Sequence, residues 1–169
     1  HLKIIKRCKQ KKIKFLSSPF DFKSIDLLKK LKLNLFKIPS GEITNISYLR
    51  KIGALKKKII LSTGMSNTEE IKKAIKTLIS SGTKKKNITI LHCSSEYPAN
   101  KNNLNLLSIP FMKNKFNINV GYSDHSLGLQ ASFTAVALGA TVIEKHFTIN
   151  KRLSGPDQSS SLSSKELKN

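Results

Sequence analysis

Ionisable side chains occur where several short apolar segments of the sequence end. Two consecutive segments end with His125 and His146, and an earlier one contains Lys37 close to its end. Imidazole is a common ligand of Mn²⁺, Zn²⁺ or Fe²⁺, so neighbouring segment ends of this kind would form a divalent-metal site. Asp124 or Glu144 would then orient a ring by accepting its hydrogen bond. Two ordinary hydrogen-bonded histidines are the alternative, and spacing alone leaves it open.

Serine hydroxyls occupy five of the same segment ends, with Lys37 beside them: Ser18, Ser40, Ser62, Ser95 and Ser123. Hydroxyls, backbone N–H groups and one lysine are typical of a phosphate-binding site. Helix capping would also explain one serine in each loop, but it does not explain a lysine near the end of a buried strand. An unpaired ammonium there is costly, so the sequence favours an anionic ligand as its partner.

Acidic residues are scarce, and five of the ten Asp and Glu residues lie at or just after these ends: Glu42, Glu96, Asp124, Glu144 and Asp157. Acidic residues that serve only to keep a protein surface soluble would not be expected to cluster at the segment ends. Glu42 would serve as a general acid–base group or accept a hydrogen bond from a substrate hydroxyl. A structural ion pair with Lys37 or Lys145 is its alternative role.

Six segments rich in Ile, Val, Leu and Phe are predicted to be the strands that position these side chains: 13–17, 35–39, 58–62, 88–93, 118–123 and 141–147. Little polar alternation is typical of strands buried on both faces of a parallel sheet. Helix-like patterns separate them at 24–33, 44–53, 66–81 and 127–138, with another from near Ser108. Ser66 and Glu69 are the expected capping box of the clearest helix. Alternating units predict an α/β fold, with a partial (β/α)₈ barrel favoured over a doubly wound sheet because Gly-rich phosphate motifs are missing.

The formal net charge of +21 raises the possibility of nucleic-acid binding. Only three of the 31 basic residues are Arg, however, and base recognition depends on the Arg fork. Lysine clusters at 11–12, 56–58 and 84–86 precede strands, so we expect them on the face opposite the segment ends. We expect no specific nucleic-acid partner, and a basic nucleic-acid-binding protein is the alternative from another functional class.

The number of cysteines and the hydropathy pattern indicate the cellular compartment in which we expect the protein. Cys8 and Cys93 do not make a disulfide framework, which favours a reducing compartment. Apolar stretches fall well short of about 18 residues, so no membrane helix is expected. Without a recognisable signal peptide, the expected localisation is cytoplasmic.

Seven short motifs follow one another along nearly the whole chain: FLSSPF at 15–20, KIPSGE at 37–42, ILSTGM at 60–65, LHCSSEYP at 91–98, GYSDHS at 121–126, EKHFT at 144–148 and GPD at 155–157. In this order they resemble the sialic acid synthase family, which includes N-acetylneuraminate, legionaminate and pseudaminate synthases. The resemblance implies a TIM-barrel catalytic domain of which residues 1–150 supply strands 3 to 8. Residues 151–169 would be a loop and the start of the last barrel helix.

The same resemblance implies condensation of phosphoenolpyruvate with N-acetylmannosamine or a 2,4-diacetamido relative, giving a nine-carbon 2-keto acid and phosphate. His125 and His146 would hold the divalent metal, commonly Mn²⁺, with Mg²⁺ or Co²⁺ as alternatives. Glu42 would transfer a proton. The implied substrate contacts are Ser18, Lys37, Ser40, Ser62, Ser95 and Ser123 for phosphoenolpyruvate, and Glu42, Tyr97 and Asp157 for the sugar.

The family pattern also extends beyond these 169 residues. Its first two strands have no counterpart here, and neither does its C-terminal antifreeze-like domain, which supplies an Arg across a dimer. We therefore expect an internal fragment that is inactive alone and a full-length form that is a homodimer. Another phosphoenolpyruvate-dependent 2-keto sugar acid synthase is the alternative among enzymes.

Overall fold

A computed structural model describes residues 1–168. Five parallel strands form one sheet in chain order: β1 (Leu35–Ile38), β2 (Lys58–Ser62), β3 (Ile88–Cys93), β4 (Asn119–Asp124) and β5 (Ile143–Lys145). The sheet is a half-barrel, and Lys37 of β1 reaches Glu144 of β5 across its inner face. The predicted α/β class with a parallel sheet is confirmed.

Seven α-helices accompany the strands: α1 (Leu2–Gln10), α2 (Phe22–Lys30), α3 (Ile46–Gly53), α4 (Thr68–Ser80), α5 (Ser108–Phe116), α6 (Gln130–Ala137) and α7 (Ser164–Lys168). Helices α3 to α6 are the crossovers between consecutive strands, as parallel pairing requires. Apolar side chains such as Ile52, Leu78 and Ile109 face the outer surface of the sheet, where they meet Phe36 and Ile90 in one core. No helix in the described residues is long and apolar enough to cross a membrane.

The prediction of a sixth strand at 13–17 is wrong. These residues form no ladder, and β1 pairs only with β2 in the described part of the chain. Ile13 is 64% exposed, so the apolar run does not mark a segment buried on both faces. Strand structure depends on a neighbour for its backbone hydrogen bonds, and local composition cannot supply one.

The N-cap of helix α4 is Asn67, one residue later than the expected cap at Ser66. Asn67 accepts hydrogen bonds from the backbone N–H groups of Glu69 and Glu70, and the Glu70 carboxylate accepts from the N–H of Asn67. The prediction of Ser66 and Glu69 as the capping box is therefore wrong. Ser66 instead closes the preceding turn, because its N–H donates to the carbonyl of Thr63. Asn is as good an N-cap as Ser, so the sequence allowed both registers.

The lysine clusters at 56–58 and 84–86 precede β2 and β3. Lys57 donates to the side-chain carbonyl of Asn34, just before β1, at 3.0 Å. All five strands are parallel, so the end at which Lys57 and Lys85 lie is opposite the end at which His125 follows β4. The expected separation of the lysines from the segment ends is confirmed for these two clusters.

Gly121 marks the closest approach of β4 to its neighbours. A Cβ atom there would collide with the carbonyl oxygen of Val142 and lie 2.7 Å from Cδ2 of Leu91. We expect Gly121→Ala to lower the free energy of unfolding by about 1–3 kcal/mol, because the backbone of Val142 cannot move aside. Gly41→Ala is the matched control, since no heavy atom lies within 4 Å of its Cβ position. Urea unfolding of the full-length protein measures both, and equal stabilities would contradict the close approach.

Candidate active site

Strands β4 and β5 end as neighbours, and their ends carry most of the chemically useful side chains. Three residue pairs follow one another across the two strands: Ser123 with Glu144, Asp124 with Lys145, and His125 with His146. Successive side chains of a strand point to opposite faces. The first and third pairs therefore share the inner face of the half-barrel, and the middle pair lies on the outer face towards α6.

The imidazole of His125 is held in one orientation. Its Nδ1 lies 2.6 Å from the carbonyl oxygen of Ser94. A carbonyl can only accept, so Nδ1 carries the proton and Nε2 carries a lone pair, with the Ser123 hydroxyl 3.4 Å away. Burial lowers the pKa of His125, and the adjacent His146 lowers it further, which favours the neutral ring. A neutral imidazole with one nitrogen oriented by a carbonyl is the form that binds metal ions.

His146, Tyr97 and Asp157 complete the group around His125. The two imidazole centroids are 5.4 Å apart, and the ring of Tyr97 stacks on His125 at 4.1 Å. Nδ1 of His146 lies 3.6 Å from a carboxylate oxygen of Asp157. The structure therefore brings together four of the residues singled out from the sequence, although Tyr97 and Asp157 belong to different loops.

The two histidines fit a divalent ion as a partial donor set. Within residues 1–168, no group of three or more His, Cys, Asp or Glu is arranged to hold a metal. Two imidazoles leave several coordination positions for water or substrate oxygens, as a catalytic ion requires. The expected orienting role of Asp124 or Glu144 is not found, because the ring of His125 is bonded to the Ser94 carbonyl instead.

Lys37 is the centre of a second group, which we call the lysine–hydroxyl cluster: Lys37, Ser62, Ser123 and Glu144. The ammonium of Lys37 is buried, donates to the hydroxyl of Ser62 at 2.9 Å and lies 3.4 Å from the Glu144 carboxylate. Glu144 also accepts from Ser123 at 2.8 Å. Lys37 therefore has a carboxylate partner, and the expectation that it is unpaired is wrong. Its burial alone does not demand an anionic ligand.

Glu42 makes no hydrogen bond or ion pair with either group in residues 1–168. It belongs to a short 3₁₀ turn after β1, and its carboxylate accepts from the side-chain amide of Asn45 at 2.8 Å. The alternative of an ion pair with Lys37 or Lys145 is wrong, because those ammonium groups pair with Glu144 and Asp124. A role of Glu42 in proton transfer stays a prediction.

Ser40 and Ser95 converge on the backbone of Gly64. The hydroxyl of Ser40 accepts from the N–H of Gly64 at 2.9 Å and lies 3.4 Å from the Cys93 thiol. A Cβ atom on Gly64 would lie 2.6 Å from the hydroxyl of Ser95. Ser18 stands in the irregular segment before α2, and no hydrogen bond in residues 1–168 ties it to these groups.

Sequence reasoning missed two features of this site. Glu144 was expected to orient a ring, but it joins Lys37 to Ser123; its position opposite Ser123 in adjacent strands was the available signal. The role of the Ser94 carbonyl has no signal in the sequence, because every residue carries a backbone carbonyl.

Asp124 is buried, which opposes its ionisation, but hydrogen bonds from Ser126, Ser132 and Lys145 outweigh this and lower its pKa.

Known proteins share both sequence and fold with this chain. The sequence model of the NeuB family matches residues 1–169. An N,N'-diacetyllegionaminic acid synthase from Campylobacter jejuni is 55% identical over 99% of the chain and 50% of its own length. The crystal structure of an N-acetylneuraminic acid (sialic acid) synthetase from Leptospira borgpetersenii in complex with citrate matches with a TM-score of 0.93 and 36% identity, covering 98% of this chain and 57% of that one.

A more distant structure bears on the fold alone. The phospho-2-dehydro-3-deoxyheptonate aldolase of Thermotoga maritima matches with a TM-score of 0.83 at 17% identity, over 96% of this chain and 50% of that one. The chain spans about half the length of the curated relatives it matches.

The imidazole pair generates a direct prediction. In the full-length protein, the double variant His125→Ala/His146→Ala should lose measurable Mn²⁺ binding, because it removes both nitrogen donors from the inner face. Isothermal calorimetry measures the affinity. His1→Ala is the control, since it removes an exposed imidazole beside α1. Wild-type affinity in the double variant would show that the ion binds elsewhere.

Proposed function

The chain belongs to the NeuB family, and from that membership we propose that it is part of an enzyme that condenses phosphoenolpyruvate with an N-acetylated hexosamine. The product is a nine-carbon 2-keto acid. One observation carries the proposal: the imidazole pair and the lysine–hydroxyl cluster share one inner face, where Ser123 contacts both Glu144 and His125. One group suits a divalent ion and the other an anion.

The lysine–hydroxyl cluster is the proposed site of phosphoenolpyruvate. Lys37 supplies a charged donor, and Ser62 and Ser123 supply hydroxyls that can turn towards phosphate or carboxylate oxygens. An incoming anion would compete with Glu144 for the ammonium of Lys37, whose present separation of 3.4 Å is longer than a close charged hydrogen bond. Ser40 and the N–H of Gly64 lie at the adjacent strand end and extend the set of donors.

The imidazole pair is the proposed metal and sugar side of the site. His125 and His146 would hold the ion, with Mn²⁺ proposed first and Mg²⁺ or Co²⁺ as alternatives. A bound divalent ion supplies Lewis-acid polarisation of the sugar aldehyde. Tyr97 and Asp157 border the same space and are the proposed contacts of the sugar, while Glu42 is the proposed proton-transfer group.

The proposed reaction consumes the two substrates and one water molecule. Carbon 3 of phosphoenolpyruvate forms a bond to the aldehyde carbon of the open-chain sugar, and the aldehyde oxygen takes up a proton. Water adds to carbon 2 and releases a proton, the bond from carbon 2 to the phosphate oxygen breaks, and the new hydroxyl loses its proton to become the keto group as inorganic phosphate leaves. The protein contributes mainly by holding two substrates in reactive contact, which is worth several orders of magnitude in rate.

The relatives suggest which sugar to test first. The 55% identity to a diacetyllegionaminic acid synthase favours a 2,4-diacetamido sugar, and the 36% identity to a sialic acid synthetase keeps N-acetylmannosamine as the second candidate. A homodimer belongs to the same proposal, because the family resemblance implies an Arg supplied across a dimer.

Phosphate release tests the activity in the full-length protein. Phosphoenolpyruvate and Mn²⁺ are supplied with a 2,4-diacetamido sugar, with N-acetylmannosamine, or with an aldose phosphate that has no acetamido group. Turnover with either acetamido sugar supports the proposal. Turnover with the aldose phosphate alone would favour another phosphoenolpyruvate-dependent synthase, and no turnover with any of the three would overturn both.

Lys37 allows a sharper test of the phosphoenolpyruvate site. Lys37→Met should raise the KM for phosphoenolpyruvate about 10- to 100-fold, the usual worth of a charged hydrogen bond, and change the KM for the sugar about twofold at most. Lys57→Met is the control, because Lys57 lies at the opposite end of the strands. An unchanged KM for phosphoenolpyruvate would remove Lys37 from the site.

A further inference from the structure

The outer-face pair between β4 and β5 is the most buried ion pair in the described residues. The ammonium of Lys145 lies 2.9 Å from the Asp124 carboxylate, and the two side chains are 8% and 0% exposed. The carboxylate also accepts from the hydroxyl and N–H of Ser126 and from the hydroxyl of Ser132 on α6. Every other ion pair in residues 1–168 has at least one partner more than a third exposed.

The pair contacts the residues on both sides of His125 and includes the residue before His146. Lys145 donates to the carbonyl of Ser126 at 2.7 Å as well as to Asp124, so one ammonium contacts the residues on both sides of His125. Lys145 is also the residue directly before His146. The two imidazoles therefore project to the inner face from positions that are joined on the outer face.

The backbone offers few other restraints at this point. Strand β5 has three residues, and the pairing of Asp124 with Lys145 is the last rung of its ladder with β4. Beyond it, the carbonyl of His125 accepts from the N–H of Ala99 in a loop, and Leu162 forms a single parallel β-bridge with Phe147 that bonds the carbonyl of His146 and the N–H of Thr148. The Leu162 bridge fixes His146 but does not join it to His125, so the last rung is the backbone pairing that links the two histidine positions directly.

We propose that the Asp124–Lys145 pair is a positioning device that sets the separation and orientation of His125 and His146 for a shared ligand. The inference deepens the proposed function and rests on it. Neither residue touches the inner face, so both act through the histidines. Groups that hydrogen-bond a metal ligand directly change metal binding about 10- to 100-fold when lost. The pair acts on the backbone positions of the ligands instead, so this range is the upper bound of the expected effect.

Two variants and one control test the proposal in the full-length protein. Lys145→Met removes the ammonium from both Asp124 and Ser126 and should weaken Mn²⁺ binding, by about 10- to 100-fold at most. Ser132→Ala removes one of the donors to Asp124 but leaves the ion pair, so its effect should be smaller. Lys51→Met removes an exposed pair with Asp26 at 2.7 Å and should not change Mn²⁺ affinity.

A second measurement needs no metal. Nitrogen NMR of the metal-free wild type should show His125 as a single tautomer with the proton on Nδ1, because Nδ1 donates to the Ser94 carbonyl. In Lys145→Met this signal should shift towards averaged tautomers as the ring loses its fixed position. A purely structural role would lower the unfolding temperature of the variant without changing the tautomer of the folded protein.

The outcomes separate this inference from the proposed function. Folded Lys145→Met with wild-type Mn²⁺ affinity and an unchanged tautomer overturns the positioning role and leaves the proposed function intact. If Lys145→Met does not fold, Asp124→Asn takes its place, because it removes the charge of the pair and keeps the shape of the side chain. Unchanged affinity and tautomer in folded Asp124→Asn would then overturn the positioning role. If the wild type itself binds no Mn²⁺, the proposed metal site fails, and the tautomer measurement still decides whether the pair positions the ring.

Discussion

The register between β4 and β5 is the constraint on which the candidate site depends. Parallel pairing places Ser123 opposite Glu144 and Asp124 opposite Lys145, and the two-residue period of a strand then alternates the pairs between faces. A slip of one residue in β5 would send Glu144 and His146 to the helix layer and bring Lys145 to the inner face. The inner-face chemistry and the outer-face ion pair are therefore consequences of one register.

Charged side chains are distributed differently at the two ends of the strands. On the inner face, Lys37 and Glu144 pair across the half-barrel, and burial lowers the pKa of His125. The lysine clusters at 56–58 and 84–86 lie at or just before the starts of β2 and β3, and so at the other end of the strands. The inner face therefore presents a paired, buried lysine beside an imidazole pair, the two groups on which the proposed function rests.

Three of the failed expectations share a cause. The segment at 13–17 was apolar but has no pairing neighbour in residues 1–168, Lys37 looked unpaired because Glu144 is 107 positions away, and Asp124 was assigned to a ring when its partners were Lys145 and α6. In each case the residue type was judged correctly and the partner was not. Partners at long sequence separation follow from curvature of the sheet, which short-range patterns do not encode.

The amino-acid sequence by itself determined the class of fold, four of the five strands to within about a residue at each end, and the position of the histidines, lysine and serines at the strand ends. Apolar runs, glycine-containing turns and the seven ordered motifs are local properties, so they can be recognised in the sequence without the tertiary structure. Only the tertiary structure decided that Glu144 joins Lys37 to Ser123, that the Ser94 carbonyl sets the tautomer of His125, and that Asp124 and Lys145 pair behind the imidazoles. Each of these contacts is made between strands or loops, and its free energy depends on burial that no single segment possesses.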